Sequence, residues 1–217
     1  MKYSNKNGFT LGEIMIALTV IGIVAVLILP QLIMGQRTSK AKGQFSSAYS
    51  DISKIVTSLE SNGKSLNTDT YERLVEYSRV KTECGKSSDT NNTTICNVDN
   101  NRYTTFSGKT ISPEYFSDGS FVLKNGMLVA VKNDPTDKGV LVSVDINGKT
   151  QEPNKWGWDL FTFEVVDNDL LPEGAPGTKQ AGKDLCSSTS AVSNNGITCA
   201  YKALSDENYF DDLYKGL

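Results

Sequence analysis

One uninterrupted apolar run governs what this chain can become. Ile14-Met-Ile-Ala-Leu-Thr-Val-Ile-Gly-Ile-Val-Ala-Val-Leu-Ile-Leu29 carries no charge and ends at Pro30. Just ahead of it lies Gly8-Phe-Thr-Leu-Gly-Glu13, preceded by Lys2 and Lys6. A helix of about twenty apolar residues spans the hydrocarbon core of a bilayer, so the stretch reads as a membrane helix. It is longer than an ordinary signal h-region, and Pro30-Gln-Leu-Ile-Met-Gly-Gln-Arg37 offers no small-x-small cut site. The segment is therefore expected to stay on the protein. Glu13 is the anomaly. An ionisable group at mid-membrane costs about 2.5–3.5 kcal/mol on insertion scales, so a carboxylate in the first turns of such a helix requires a reason.

Past the apolar run the helix continues but changes character. Phe45, Ala48, Tyr49, Ile52, Ile55, Val56 and Leu59 recur at the spacing of one helix face, with Ser46, Ser47, Asp51, Lys54 and Ser58 opposite. Asn62-Gly63 is a stop signal, because glycine takes the left-handed conformation that closes a helix. From Phe9 to Ser61 the rise of 1.5 Å per residue makes a spine of roughly 80 Å. Its first half is apolar nearly all round and its second is amphipathic, so it should run from membrane into folded domain without a linker. Pro30, Gly35 and Gly43 are the places where it would bend or locally unwind.

The remainder alternates polar turns with short strands. Asp69-Thr-Tyr-Glu72 has the form of a capping box and predicts a second helix to about Val80. Thr82 to Thr105, bracketed by Cys84 and Cys96, reads as a loop, and its two formal glycosylation sequons at Asn91 and Asn92 read as chance in an Asn/Thr-rich stretch. Ser120–Lys124 and Met127–Lys132 flank Asn125-Gly126, a strong hairpin signal. Val140–Ile146 and Asp159–Val165 supply a third and fourth strand. The short connections favour an antiparallel meander of about four strands, one face packed on the amphipathic half of the spine, in a two-layer α+β domain.

Composition removes whole classes of function. The 217 residues contain no histidine, which excludes Ser-His-Asp triads, Cys-His pairs and His-based zinc sites. Neither a nucleophile–base pair nor a phosphate-cradling glycine loop is present, and no enzymatic activity is expected. The net charge is −3, and without Lys2 and Lys6 it is −5, from 20 basic against 25 acidic residues. Nucleic acid is thus not an expected partner. Arg37, Lys40 and Lys42 beyond the apolar run balance Lys2 and Lys6 before it, so charge leaves the orientation in the membrane undecided.

The string Gly8-Phe-Thr-Leu-x-Glu13 followed by an apolar helix resembles the N-terminal signature of type IV pilins and of the pseudopilins of type II secretion systems. Pro30 also stands where many of those proteins have a helix proline; Gly12 departs from the pattern, which usually places a large aliphatic residue there. The resemblance covers about the first thirty residues closely and the rest only in architecture. It implies that a prepilin peptidase cuts between Gly8 and Phe9 and N-methylates Phe9. Residues 1–8 would then be a leader, 9–34 a transmembrane and assembly helix, 35–62 the amphipathic half of the spine, and 63–217 a periplasmic or extracellular α+β domain, pilin-like in fold. It further implies a subunit that waits in the inner membrane and assembles, through an inner-membrane platform, with copies of itself and other pilins into a periplasmic or cell-surface filament. Glu13 would pair with the terminal amine of a neighbouring Phe9, because two buried charges compensate each other where one alone has no partner. The competing reading is a membrane-anchored periplasmic binding module or enzyme whose anchor happens to look like a prepilin.

Two further constellations stand out. Asp145, Asn147, Glu152, Asn154 and Asp159 are hard oxygen donors close in sequence, of the kind calcium gathers. Some pseudopilins hold calcium near this part of the fold, and Asp145, Asn147 and Asp159 are the candidate ligands, although the spacing matches no EF-hand. An Asx-rich turn, with Trp156 and Trp158 covering a sheet edge, accounts for the same residues without any cofactor. The cysteines are four: Cys84, Cys96, Cys186 and Cys199. All are expected in disulfides of an oxidising compartment, stapling polar loops outside the core. Nearest-neighbour pairing is one of three connectivities, and the spacing does not choose among them. Many type IV pilins carry a disulfide-bounded region near the C-terminus, where Cys186 and Cys199 lie. The acidic, aromatic tail from Leu204 to Leu217 suits either a docked terminal helix or a partner surface.

Overall fold

The computed structural model describes residues 8–64, 66, 69–86, 96, 103–133 and 139–215. Helix α1, Leu11–Ser61, is 51 residues long and runs without a break through Pro30, Gly35 and Gly43, so the helix does not unwind at any of the three. It stops where the sequence says it should. Gly63 takes φ +68°, its N–H donates to the carbonyl of Glu60, and the N–H of Lys64 donates to that of Leu59. The apolar half of α1 is exposed along its length, whereas Phe45, Ala48, Ile52, Val56 and Leu59 are buried.

Those residues face a six-stranded antiparallel sheet whose spatial order is its sequence order: β1 Val80–Gly85, β2 Ser120–Leu123, β3 Leu128–Asn133, β4 Val140–Asp145, β5 Leu160–Val166 and β6 Asp169–Pro172. The expected meander is present with two strands more than the sequence suggested. The β2–β3 turn is made by Asn125-Gly126, with Gly126 at φ +92°. Strand β6 follows from a two-residue turn, Asp167-Asn168, in which both residues have positive φ. That is the backbone of the turn that matches strand twist, and Pro172 is tolerated because β6 is an edge. Strand β1 corrects two expectations at once. Helix α2 is only Thr70–Tyr77, Asp69 makes no side-chain cap bond, and Val80 already pairs with Leu123. Cys84, expected in a loop, lies on this strand. The sequons at Asn91 and Asn92 lie outside the described residues.

The two-layer expectation is also corrected, because both sheet faces are covered. On one face α1, α2 and the C-terminal helices α3 (Cys199–Ser205) and α4 (Tyr209–Lys215) pack on Phe121, Val129, Val142, Val144, Phe161 and Phe163. Phe45 is the hub: its ring lies 4.7 Å from Phe161, 6.2 Å from Phe163 and 5.7 Å from Phe210. On the other face Tyr103, Ile111, Phe116, Trp156 and Ile197 cover Val122, Leu128 and Ala130. Trp156 is fully buried there instead of guarding an edge, and its indole N–H donates to Thr162 Oγ1, which also bonds Ser143 Oγ. Gly196, at φ +113°, lets the covering segment come down on Trp156, where an added Cβ would collide with the Trp156 Cβ. Strands buried on both faces lose the alternation that marks a half-buried strand, and this is why β2 and β3 read as continuous apolar runs.

Candidate processing and assembly site

The N-terminal site is built on the first turn of α1. Gly8, Phe9 and Thr10 are non-helical, and Phe9 is exposed at 84%. A Cβ added at Gly8 would meet nothing within 4 Å. The expected scissile bond between Gly8 and Phe9 is thus sterically open. Thr10 is the N-cap: its hydroxyl accepts from the Glu13 N–H at 3.3 Å, while Glu13 Oε2 accepts from the Thr10 N–H at 2.8 Å and from its hydroxyl at 2.8 Å. This reciprocal box satisfies two of the donors that every helix N-terminus leaves over. Glu13 therefore has a local structural duty, separate from any pairing between subunits. Thr10-x-x-Glu13 is a capping box legible in the sequence, and Thr10 is the residue that sequence reasoning missed. Gly12 and Gly22 have open space around their Cα atoms, so the Gly12 departure leaves no packing defect within the subunit.

The proposed calcium ligands are brought together, but not as a cation cage. Asp145 and Asp159 are almost fully buried, at the ends of β4 and just before β5. Asp145 Oδ1 accepts from the N–H groups of Asn147 (3.2 Å) and Gly148 (2.9 Å), and Oδ2 accepts from the Tyr103 hydroxyl at 2.7 Å. Asp159 Oδ2 accepts from the Asn154 N–H (2.8 Å) and from Asn147 Nδ2 (3.2 Å), and Oδ1 from the Lys155 N–H (2.6 Å). Every carboxylate oxygen of the pair is thus met by a proton donor. The amide of Asn147 presents its nitrogen, not its oxygen, to Asp159. Glu152 contributes only its backbone carbonyl, accepting from Asn147 Nδ2 at 3.4 Å, and the Asn154 side chain bonds neither aspartate. Calcium requires six to eight oxygens facing one point. As arranged here, the two aspartates tie the β4–β5 loop to itself, while the Oδ1 atoms of Asn147 and Asn154 are buried without a donor. Burial and the charge of Asp159 push the Asp145 carboxyl well up, and burial does the same to Asp159. Tyr103, held far above its ordinary value by burial and by Asp145, stays a proton donor.

The cysteines pair with their neighbours, Cys84 with Cys96 and Cys186 with Cys199. They were expected outside the core, yet all four are buried. The first bond pins β1 to the segment covering the far sheet face. The second ties the start of α3 to the chain beneath it, where Tyr209 donates its hydroxyl to the Gly157 carbonyl at 2.7 Å. The tail docks as a helix: α4 lays Phe210 on Phe45 and Tyr214 edge-on against Trp158.

Residues 3–29 match the family model of the prokaryotic N-terminal methylation motif, the prepilin-type signal of type IV pilins and pseudopilins. No match to the chain was found among curated proteins or solved structures.

Proposed function

We propose that a chain opening on the N-terminal methylation signal and continuing into this α+β body is a structural subunit of a type IV pilus or a type II secretion pseudopilus. The observation that carries the reading is one of register. The matched motif at residues 3–29 opens the same 51-residue helix whose far half is buried in the sheet, so pulling on the N-terminus moves the whole domain. Prepilin peptidase cuts the open Gly8–Phe9 bond and methylates Phe9. The exposed apolar half of α1 sits in the inner membrane first and then packs on copies of itself and on related subunits, leaving the globular domain outside the cytoplasm. Transfer from lipid to a helical bundle keeps that surface out of water, while Glu13 gains the amine of a neighbouring Phe9 as a partner. The role is assembly, not catalysis.

Glu13→Ala tests the assignment. Mass spectrometry of the mature N-terminus should still find methylated Phe9, while filaments sheared from cells should disappear. Filaments in normal yield would remove the pairing role, and an unprocessed Met1 in the wild-type chain would remove the whole reading.

A further inference from the structure

A cleft of about 620 Å³ opens where α1 leaves its apolar half, between that helix and the β4–β5 loop. Its walls carry three cations, Arg37 and Lys40 from α1 and Lys155 from the loop, against one carboxylate, Glu152. Two aromatic side chains, Trp158 and Tyr214, stand beside them, 5.5 Å apart and edge to face. Neither Arg37, Lys40 nor Lys155 forms an ion pair among the described residues; the Lys155 ammonium lies over the rings of Trp158 (5.5 Å) and Phe106 (5.9 Å). We propose that this cleft seats the headgroup of an anionic phospholipid, in the leaflet on the side of the globular domain.

Position argues for lipid over other anions. The exposed apolar surface of α1 extends through Leu32 and Ile33. Arg37 lies three residues beyond Met34 and Lys40 six, so at 1.5 Å per residue they stand about 5 and 9 Å further along the axis. The headgroup layer on each side of a roughly 30 Å core is about 5–8 Å deep, so Arg37 lies within it and Lys40 at its outer edge, while the loop places Lys155 beside them. Trp and Tyr, apolar rings with a polar edge, favour the same level. Basic residues next to a span are ordinarily kept on its cytoplasmic side. On the side of the folded domain they oppose translocation, and a bound phosphate offsets that penalty. The inference rests on the span reading of α1, and its test separates the two.

The full chain, purified in detergent, is reconstituted into nanodiscs of phosphatidylcholine alone or with phosphatidylglycerol, and lipids retained after re-extraction are counted by native mass spectrometry. The wild type should retain phosphatidylglycerol over phosphatidylcholine. R37Q/K40Q/K155Q should weaken that retention about a hundredfold, since each basic side chain at an anionic surface contributes roughly fivefold. K54Q/K124Q, changing cations elsewhere on the domain, should leave it unaltered, and near-ultraviolet circular dichroism from buried Trp156 should show both variants folded. Equal retention by wild type and triple variant overturns the proposal. So does displacement of the lipid by an equal concentration of inorganic phosphate, which would make the site one for free anions. A dimer in phosphatidylcholine discs that the triple variant abolishes, with no lipid retained, would assign the cleft to a second copy and overturn it as well. Failure of the wild type to enter phosphatidylcholine discs would refute the span itself.

Discussion

Phe45→Ala measures how firmly the spine is fixed to the body. The Phe45 side chain is 2% exposed and touches three other rings, on β5 and α4. Truncating a buried phenylalanine costs about 3–5 kcal/mol, and loss of each aromatic contact lies within that total at roughly 0.5–1.5 kcal/mol. A value near 4 kcal/mol, divided by a urea dependence of about 2 kcal/mol per molar, lowers the unfolding midpoint by about 2 M. Phe45→Leu keeps most of the buried area and should lower it by only about 0.5 M. The assay is urea unfolding of the full chain in detergent, followed by tryptophan emission, from Trp156 and Trp158 together. Helicity is the wrong signal, because the apolar half of α1 stays helical in the micelle. Leu32→Ala, on the exposed half of the same helix, should leave the midpoint in place. A shift below about 0.5 M for Phe45→Ala, given an urea dependence in that range, would mean that α1 is not part of the cooperative core, and a subunit pulled by its N-terminus would then not move as one body.

Replacing Cys186 and Cys199 with alanine should destabilise the domain by about 3 kcal/mol from loop closure alone, and somewhat more because both sulfurs lie in the core; a mass difference on reduction and alkylation checks the bonds and a lower melting temperature checks the energy. Stability should fall as pH rises from about 4.5 to 7. Burial, and then the charge of Glu164, pushes the Glu173 carboxyl up to about 7 from 4.5. The folded state therefore holds this proton where the unfolded state has released it, and the stability present below 4.5 is lost as pH rises through 7. The single-group effect is on the order of 3 kcal/mol. Asp145 and Asp159, also pushed up by burial, add to the same slope, so Glu173→Gln should reduce it by the Glu173 share alone, and an unchanged slope in urea titrations across this range would refute it. Adding calcium or a chelator should leave the melting temperature unchanged, since every oxygen of Asp145 and Asp159 is already engaged by N–H or O–H donors; a rise of several degrees with calcium would show that the β4–β5 loop rearranges into a cage.

What could be read from residues alone was whatever is local. The length and purity of the apolar run, the face from Phe45 to Leu59, the Asn125-Gly126 turn and the Asn62-Gly63 stop each depend on neighbours within a few positions, and each appears in the structure as read. The methylation motif is local in the same sense, a linear signal matched over residues 3–29. Even the Thr10–Glu13 box and the Asp167-Asn168 turn were legible in principle, because their partners lie three residues or fewer away. Tertiary structure decided the rest. Val80–Gly85 is a strand only because β2 offers it an edge some forty residues later. The cysteines are core residues because segments far apart in sequence cover both sheet faces. Sequence displays the oxygens of the acidic β4–β5 loop without showing which protons they face; the structure shows Asp145 and Asp159 met by N–H and O–H donors. Tyr103, 42 residues from Asp145, had no local signal at all. The cleft of Arg37, Lys40 and Lys155 is of the same kind: periodicity places two of its cations on the spine, but only packing of the loop against α1 brings the third across from them.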